Sequence, residues 1–282
     1  MFRRDIRAAL KRREQDIQKL IPPLDTYLML REAFRGGDTH ASRFYAGKIL
    51  PGPIRSVDRS SSYPDVQCNG KFPMSVFYNP EPQDAHSIEA VISKMKKKYA
   101  ILARLIFRGI RLRSMTNPNP YISDDKCRNV FLAAYDNGRI MSAEYLEITV
   151  TDEDLFIILH DYDWDGKIEV VKWQYARLGP LPEEMIRCIE EYYVMKTELK
   201  NVEGQELYYE KSKNKLNSLF GCSSQDPVKY SIRYTEGGDY IEGALIDGVF
   251  NPRVLEDGTE VDYTGVLLDQ AKPVMPYQWG VW

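Results

Sequence analysis

The feature that most restricts the fold is a set of hairpin turns between strand-like segments. Asp136-Asn137-Gly138 separates residues 131–135 from residues 139–145. Asn-Gly is the dipeptide that best tolerates the left-handed backbone of a two-residue turn. Residues 146–150 prolong the second strand. Glu236-Gly237-Gly238-Asp239 lies between residues 230–234 and 240–247, and Glu256-Asp257-Gly258 between 253–255 and 261–263. Hairpins join antiparallel neighbours, so the sheet these segments predict is antiparallel.

Helical periodicity accounts for much of the rest. Over residues 2–20, Phe2, Ile6, Leu10, Ile17 and Leu20 fall near one face, and Ile21-Pro22-Pro23 stops the helix. A second helix spans 24–33. Residues 87–98 read as a helix whose lysines gather at its end, where the helix dipole favours cations. Thr151-Asp152-Glu153-Asp154 is a helix-start signature. A further helix runs from Leu181-Pro182-Glu183-Glu184 to about residue 199. Residues 200–204 break it, and another follows over 205–219, giving a helical hairpin. Asn117-Pro118-Asn119-Pro120 is loop. Strands and helices in separate runs predict an α+β fold.

Several classes are disfavoured. With 282 residues, the chain suits one large domain or two to three subdomains. No apolar run approaches the roughly 18 residues of a membrane span, and the N-terminus lacks an apolar signal core. Cys68, Cys127, Cys188 and Cys222 are scattered without CxxC or cysteine-histidine spacing. They read as free thiols in a reducing, cytoplasmic compartment. No GxGxxG or GxxxxGK[ST] loop occurs, which argues against a dinucleotide or P-loop protein. Asp161-Tyr162-Asp163-Trp164-Asp165-Gly166 looks like a calcium loop, but its twelfth position is Lys172 where a bidentate glutamate is needed. A tight acidic turn is the better reading.

The net charge of −3 does not suggest a nucleic-acid binder, but the local charge is uneven. The polar face of the first helix carries Arg3, Arg4, Arg7, Lys11, Arg12, Arg13 and Lys19 against Asp5, Glu14 and Asp16. No acidic residue occurs from Lys94 to Arg113, and Arg108, Arg111 and Arg113 alternate with apolar residues there. Each region reads either as a solvated face or as a surface for phosphates.

Two stretches point to chemistry. Ser56-Val57-Asp58-Arg59-Ser60-Ser61-Ser62-Tyr63-Pro64 reads as a short buried strand delivering Asp58, then a polar run to an aromatic-proline stop. A carboxylate in such a strand is costly unless it is paired or binds metal. Downstream, Lys213, Asn217 and Phe220 or Gly221 are spaced to share one face of a helix, with Leu216 and Leu219 pointing into packing. A lysine, an amide and an aromatic in a column suit a polyphosphate, a sugar and a base; an ordinary solvated helix face carries the same residues. Phe34-Arg35-Gly36-Gly37 permits close backbone approach, and a simple tight turn reads equally well.

Together the three stretches resemble family B DNA polymerases. Asp58-Arg59-Ser60-Ser61-Ser62-Tyr63-Pro64 looks like motif A, D-x-x-S-L-Y-P. Lys213-Asn214-Lys215-Leu216-Asn217-Ser218-Leu219-Phe220-Gly221 looks like motif B, K-x-x-x-N-S-x-Y-G. Phe34-Arg35-Gly36-Gly37 is similar to the Y-x-G-G element. The long insert between motifs A and B looks like the protein-primed phage subfamily. The resemblance implies a DNA-directed DNA polymerase that uses Mg2+ in a two-metal site and dNTP as substrate on template-primer DNA, for viral or prophage replication. It implies metal binding by Asp58 and the Arg59 carbonyl, and a catalytic role for Asp58 and Lys213. Nucleotide contacts would come from Arg59, Tyr63, Lys200, Lys213, Asn217 and Phe220, with Tyr63 under the deoxyribose. Phe34, Arg35, Gly36, Gly37 and Gly221 would touch DNA.

The same resemblance divides the chain. Residues 1–33 lead into the palm and 34–75 carry motif A. Residues 76–183 form a first insertion, associated with a priming terminal protein. Residues 184–225 are fingers with motif B, 226–272 a second, β-hairpin insertion, and 273–282 the return to the palm. Ser62 replaces the leucine of motif A, and Phe220 the tyrosine of motif B. Motif C, Y-x-D-T-D-S, is absent. The expectation is therefore a partial polymerase palm sheet with β-rich insertions and helical-hairpin fingers. Such a chain would be inactive alone, either as a fragment of a longer polymerase, as one half of a split enzyme whose second chain supplies motif C, or as a remnant. A non-catalytic DNA-binding or assembly module is the alternative.

Overall fold

The computed structural model describes residues 2–37, 41, 44–114 and 120–282, with the backbone alone for Phe2 and Arg3. Asp38, Thr39 and His40 after the paired glycines, and residues 117–119 of the expected loop, lie outside that range.

The chain folds as α+β. The N-terminal amphipathic segment forms α1 (Phe2–Ala9), a 3₁₀ turn (Leu10–Arg13) and α2 (Glu14–Gln18). Ile6, Leu10 and Ile17 are buried, as their spacing predicts. Helix α3 (Leu24–Ala33) follows the proline stop. Next come α4 (Ser62–Asn69), β1 (Phe72–Pro73) and α5 (Ile88–Lys96), whose cap Ser87 accepts a hydrogen bond from the Ala90 amide at 3.1 Å.

Strands β2 (Tyr99–Leu112), β3 (Cys127–Asp136), β4 (Arg139–Thr151) and β5 (Tyr162–Gly179) join β1 in an antiparallel sheet of order β1-β5-β2-β4-β3. The Asn-Gly turn behaves as read: Asn137 and Gly138 take φ of 49° and 76°, the paired positive values of a type I′ turn. Helix α6 (Asp152–Asp161) starts at the expected place with a capping box between Thr151 and Asp154. It covers the sheet together with α5, sealing a core that includes Ile101, Phe107, Ile148 and Trp173.

In the acidic segment at 161–166, Asp161 ends α6 and residues 162–166 open β5 as a bulged stretch rather than a tight turn. Its counterpart on β2 is Gly109, with φ of 57°; a Cβ there would lie 2.1 Å from the Asp165 carboxylate. Asp165 and Asp163 face arginines: Arg111 donates to Asp165 at 2.9 Å and Arg113 to Asp163 at 3.1 Å. Arg108 donates to Glu169 at 2.7 Å, and Arg104 makes two bonds to Glu32, at 2.8 and 3.1 Å. The arginines of the basic run, Arg104 to Arg113, are therefore ion-paired, whereas its lysines lie at the end of α5 and in the turn after it. The compensating carboxylates lie on β5 and α3, too distant in sequence to be seen from the run itself.

Helices α7 (Glu183–Glu198) and α8 (Glu206–Ser223) form the expected hairpin, and α8 continues past the predicted end at residue 219. Strands β6 (Ser231–Tyr234), β7 (Tyr240–Ile246) and β8 (Val249–Pro252) make a small antiparallel sheet. Its second turn, Asp247-Gly248, is an additional type I′ pair, with φ of 50° and 79°. Helices α9 (Thr264–Gln270) and α10 (Gln278–Val281) follow. The C-terminal turn ties distant parts together. Trp279 donates to the Pro73 carbonyl at 3.1 Å, Gln278 to the Leu20 carbonyl at 2.9 Å, and Trp282 to Asp152 at 2.8 Å.

Two expectations around Asp58 fail. Residues 54–60 form no strand, and Val57 is 92% exposed. A strand must pair its backbone amides and carbonyls with a neighbour, and no described strand lies alongside this one. Nor does Tyr63-Pro64 end anything: Pro64 sits in the first turn of α4. Amides in that turn have no intrahelical acceptor, so the missing proline N–H costs nothing.

Candidate functional site

Three segments remote in sequence converge at the N-terminus of α4. The Tyr63 ring stacks on Phe220 of α8, with centroids 4.4 Å apart and planes 20° from parallel. A Cβ on Gly37 would sit 3.3 Å from the Tyr63 hydroxyl, so the paired-glycine stretch passes directly beside the ring. From α7, Lys196 donates to the Ser61 hydroxyl at 2.8 Å. Ser61 holds a left-handed backbone, φ 53° and ψ 45°. That conformation costs a non-glycine residue roughly 1–2 kcal/mol and presents its side chain to Lys196.

The hydrophobic pattern explains how these groups are carried. Helix α8 buries Leu216 and Leu219 against α1, α7 and α10. The opposite face is thereby left with Lys213, Asn217 and Gly221 toward solvent and Phe220 half-buried. Lys213 lies 3.5 Å from Glu210 one turn away, an exposed pair of the kind worth little. A second anchor holds the hairpin to α1. Asp5 accepts from Tyr192 at 2.6 Å and from Lys215 at 2.9 Å, and those two bonds hold the Asp5 carboxyl below its ordinary range.

The remaining predicted site residues are placed less uniformly. Asp58 is exposed, and the Arg59 guanidinium pairs with Asp65 rather than pointing away from α4. Lys200 is exposed just beyond the end of α7. Phe34 packs on Tyr277, with centroids 6.2 Å apart. The Arg35 guanidinium lies 2.9 Å from Asp154 and over the Tyr121 ring. Of that stretch, only Gly36 and Gly37 present open backbone.

Lys196 was missed in the sequence, where Lys200 stood for the second phosphate contact. The available signal was the four-residue spacing, which in a continuous helix would put both lysines on one face; in the structure only Lys196 lies on α7. Beside Lys196, a cleft of about 600 Å3 opens between α4 and α7, lined by Ser61, Asp65, Cys68, Glu190 and Tyr193. Burial, with the Glu190 and Asp65 charges, pushes the Cys68 thiol up.

The fit of a metal pair can be judged from the donor set. A two-metal site needs bridging carboxylates from separate segments. Among the described residues no three acidic, histidine or cysteine side chains gather into such a cluster. Asp65, the carboxylate nearest in sequence, is engaged by Arg59 and Asn69. Asp58 alone does not hold two ions.

The fold is similar to part of the fold of a solved DNA polymerase. The chain is similar to phi29 DNA polymerase complexed with primer-template DNA, with TM-score 0.61 and 17% identity, covering 99% of this chain and 41% of that one. The ternary complex of that polymerase with incoming nucleotide substrates gives TM-score 0.61 and 18% identity over 98% of this chain and 42% of that one. Its complex with single-stranded DNA gives 0.56 and 16%, over 95% and 39%. This chain thus spans about two fifths of those polymerase chains. No family model matches it, and no curated protein does. Among the described residues no helix is long and apolar enough to cross a membrane.

Proposed function

We propose that this chain is the nucleotide- and template-handling part of a family B DNA polymerase of the protein-primed kind. Residues 34–75 and 273–282 would serve as palm, 184–225 as fingers, and 76–183 and 226–272 as insertions. The observation that carries the reading is the convergence of Gly37, Tyr63 and Phe220. Three motifs recognised separately in sequence meet in one place, although nothing in their own packing requires it.

Each residue has a physical role in that reading. Lys213, only weakly paired, supplies a cation for the triphosphate of an incoming dNTP, with Lys196 or Lys200 as the second. Asn217 and Phe220 line the nascent base pair. Tyr63 lies under the sugar. Its stack on Phe220 has to part for a base to enter; such a contact is worth about 0.5–1.5 kcal/mol beyond its buried area, so the cost is small. Gly221 sits inside α8 with open space where a Cβ would go. Glycine there costs the helix about 1 kcal/mol relative to alanine, and passage of a template strand is a reason for it. Mg2+, when bound, would polarise the phosphates. Asp58 and the Arg59 carbonyl are the ligands this chain offers, and a further carboxylate must come from another segment.

Photocrosslinking tests the site. With template-primer DNA present, an azido-dATP is expected to label peptides of α4 or α8, and excess dNTP to suppress the label. Labelling confined to other peptides would contradict the reading. The lone, exposed Asp58 is what favours the alternative, a DNA-binding or assembly module derived from a polymerase. That reading expects DNA binding with no nucleotide-suppressible label.

A further inference from the structure

The arginines of the two basic regions noted in the sequence differ in their pairing. Arg104, Arg108 and Arg111 of β2, and Arg113 just beyond it, each meet a carboxylate. Arg4, Arg7 and Lys11 do not: among the described residues no carboxylate lies within ion-pair distance of any of them. Their i, i+3, i+7 spacing sets them on one exposed stripe beside the buried line of Ile6 and Leu10. At a rise of about 1.5 Å per residue the stripe is about 10 Å long.

A second element extends it. The stripe forms one wall of a groove of about 550 Å3 whose other wall is Lys272-Pro273-Val274. Lys272 also borders the adjoining pocket, about 290 Å3, together with Lys229. Both lysines are exposed and unpaired among the described residues. Two carboxylates touch this track. Asp226 is engaged by the Tyr27 hydroxyl and lies 3.3 Å from Arg31. Glu14 marks the far end of the first groove. Five cations without an ion pair among the described residues, from the N-terminal helix and from two segments more than 200 residues downstream, thus line two adjoining grooves, on a chain whose net charge is −3.

We infer that this track binds the sugar-phosphate backbone of a nucleic acid, separately from the nucleotide site. No aromatic residue lines either groove, so bases have no platform to stack on. Recognition is by phosphate charge and is independent of sequence. The inference does not rest on the polymerase reading, since none of these residues belongs to the motif cluster.

The test is fluorescence anisotropy of the full chain with a labelled mixed-sequence oligonucleotide, as a single strand and as a duplex, across a salt series. The triple variant Arg4→Gln/Arg7→Gln/Lys11→Gln keeps the helix, since glutamine is a good helix former on an exposed face; circular dichroism verifies this. It is expected to lose at least about tenfold in affinity, and the slope of log K against log salt is expected to fall by about 2 for a single strand. Glu14→Lys is expected to bind more tightly. Lys213→Gln, in the motif cluster, is expected to retain this binding, which separates failure of one proposal from failure of the other. Whichever oligonucleotide shows the larger slope identifies the strand form. Unchanged affinity and slope in the triple variant would overturn the inference. So would retained DNA binding in a variant that loses binding to polyglutamate, which would assign the track to an acidic protein.

Discussion

The five-stranded sheet and the motif cluster are built on opposite principles. The sheet satisfies itself: its apolar faces are sealed by α5 and α6, and its arginines are matched by carboxylates. The cluster is held by few contacts. It consists of an exposed aromatic stack, a left-handed serine, a lysine on a hydroxyl and a weakly paired Lys213. Regions that must admit a ligand and move are drawn from the less stable part of a fold. On the proposed reading the sheet would serve as the base and the cluster as the part that changes.

The comparison can be broken most directly by stability. Trp173 is buried in the sheet and donates to the Asp84 carbonyl at 3.0 Å. Trp173→Ala is expected to cost about 3–5 kcal/mol in urea unfolding, whereas Phe220→Ala should cost about 1 kcal/mol or less. Equal losses would show that the cluster is as structural as the sheet.

Glu32 is the next most sensitive point. Burial alone would raise its pKa; the Thr149 hydroxyl and the Arg104 and Arg128 guanidiniums outweigh burial and hold it below 4.5. Because the folded pKa is depressed, the stability it contributes is present above 4.5 and is lost as pH falls through the folded value. Glu32→Gln is expected to cost about 2 kcal/mol at pH 7, since it leaves the partly buried Arg104 guanidinium without its carboxylate while Arg128 keeps Glu147 at 3.6 Å, and to flatten acid unfolding below pH 4.5. An unchanged acid limb would refute the assignment.

Within the cluster the effects should fall on binding. Phe220→Ala is expected to weaken dNTP affinity about tenfold, a loss of roughly 1.4 kcal/mol, in fluorescence titrations with template-primer present. Lys196→Met is expected to weaken it about threefold, as loss of one charge-assisted contact does at an exposed site. If Lys196→Met has the larger effect, the phosphates lie toward α7 rather than along α8.

The smallest effect is expected at Asp152, where burial raises the carboxyl pKa above 3.8. Its folded state favours the protonated form, so stability falls as pH rises through that window. The Ile101 amide and the Trp282 indole both donate to the same carboxyl oxygen, at 3.0 and 2.8 Å. An asparagine carbonyl accepts both. Asp152→Asn should therefore be neutral or slightly stabilising at pH 7 in thermal unfolding. A marked loss would mean that the charge itself is needed.

Most of the architecture was legible because local pattern and global fold agree. The Asn137-Gly138 turn, the Thr151–Asp154 capping box, the proline stop at 22–23 and the α7–α8 hairpin all follow from short-range chemistry. The convergence of the motifs was implied by family resemblance; residue spacing within each segment says nothing of contacts between segments. What was misread depends on distant partners. The basic run of 94–113 looked positive because Glu32, Asp163, Asp165 and Glu169 lie elsewhere in sequence. Residues 56–58 alternate like a strand, but alternation supplies no neighbour to pair with. The start of α4 was hidden by Pro64, which ends helices when internal and begins them in the first turn.

On the proposed reading, Tyr63 and Phe220 form the floor of a deoxynucleotide site. The most direct measurement is the equilibrium affinity for dNTP against the matching rNTP with template-primer and Mg2+ present, in the unaltered chain and in Tyr63→Val. The account predicts a preference for the deoxynucleotide that Tyr63→Val abolishes while dNTP affinity changes little. Equal affinity for both sugars in the unaltered chain, or a preference that survives Tyr63→Val, would contradict it.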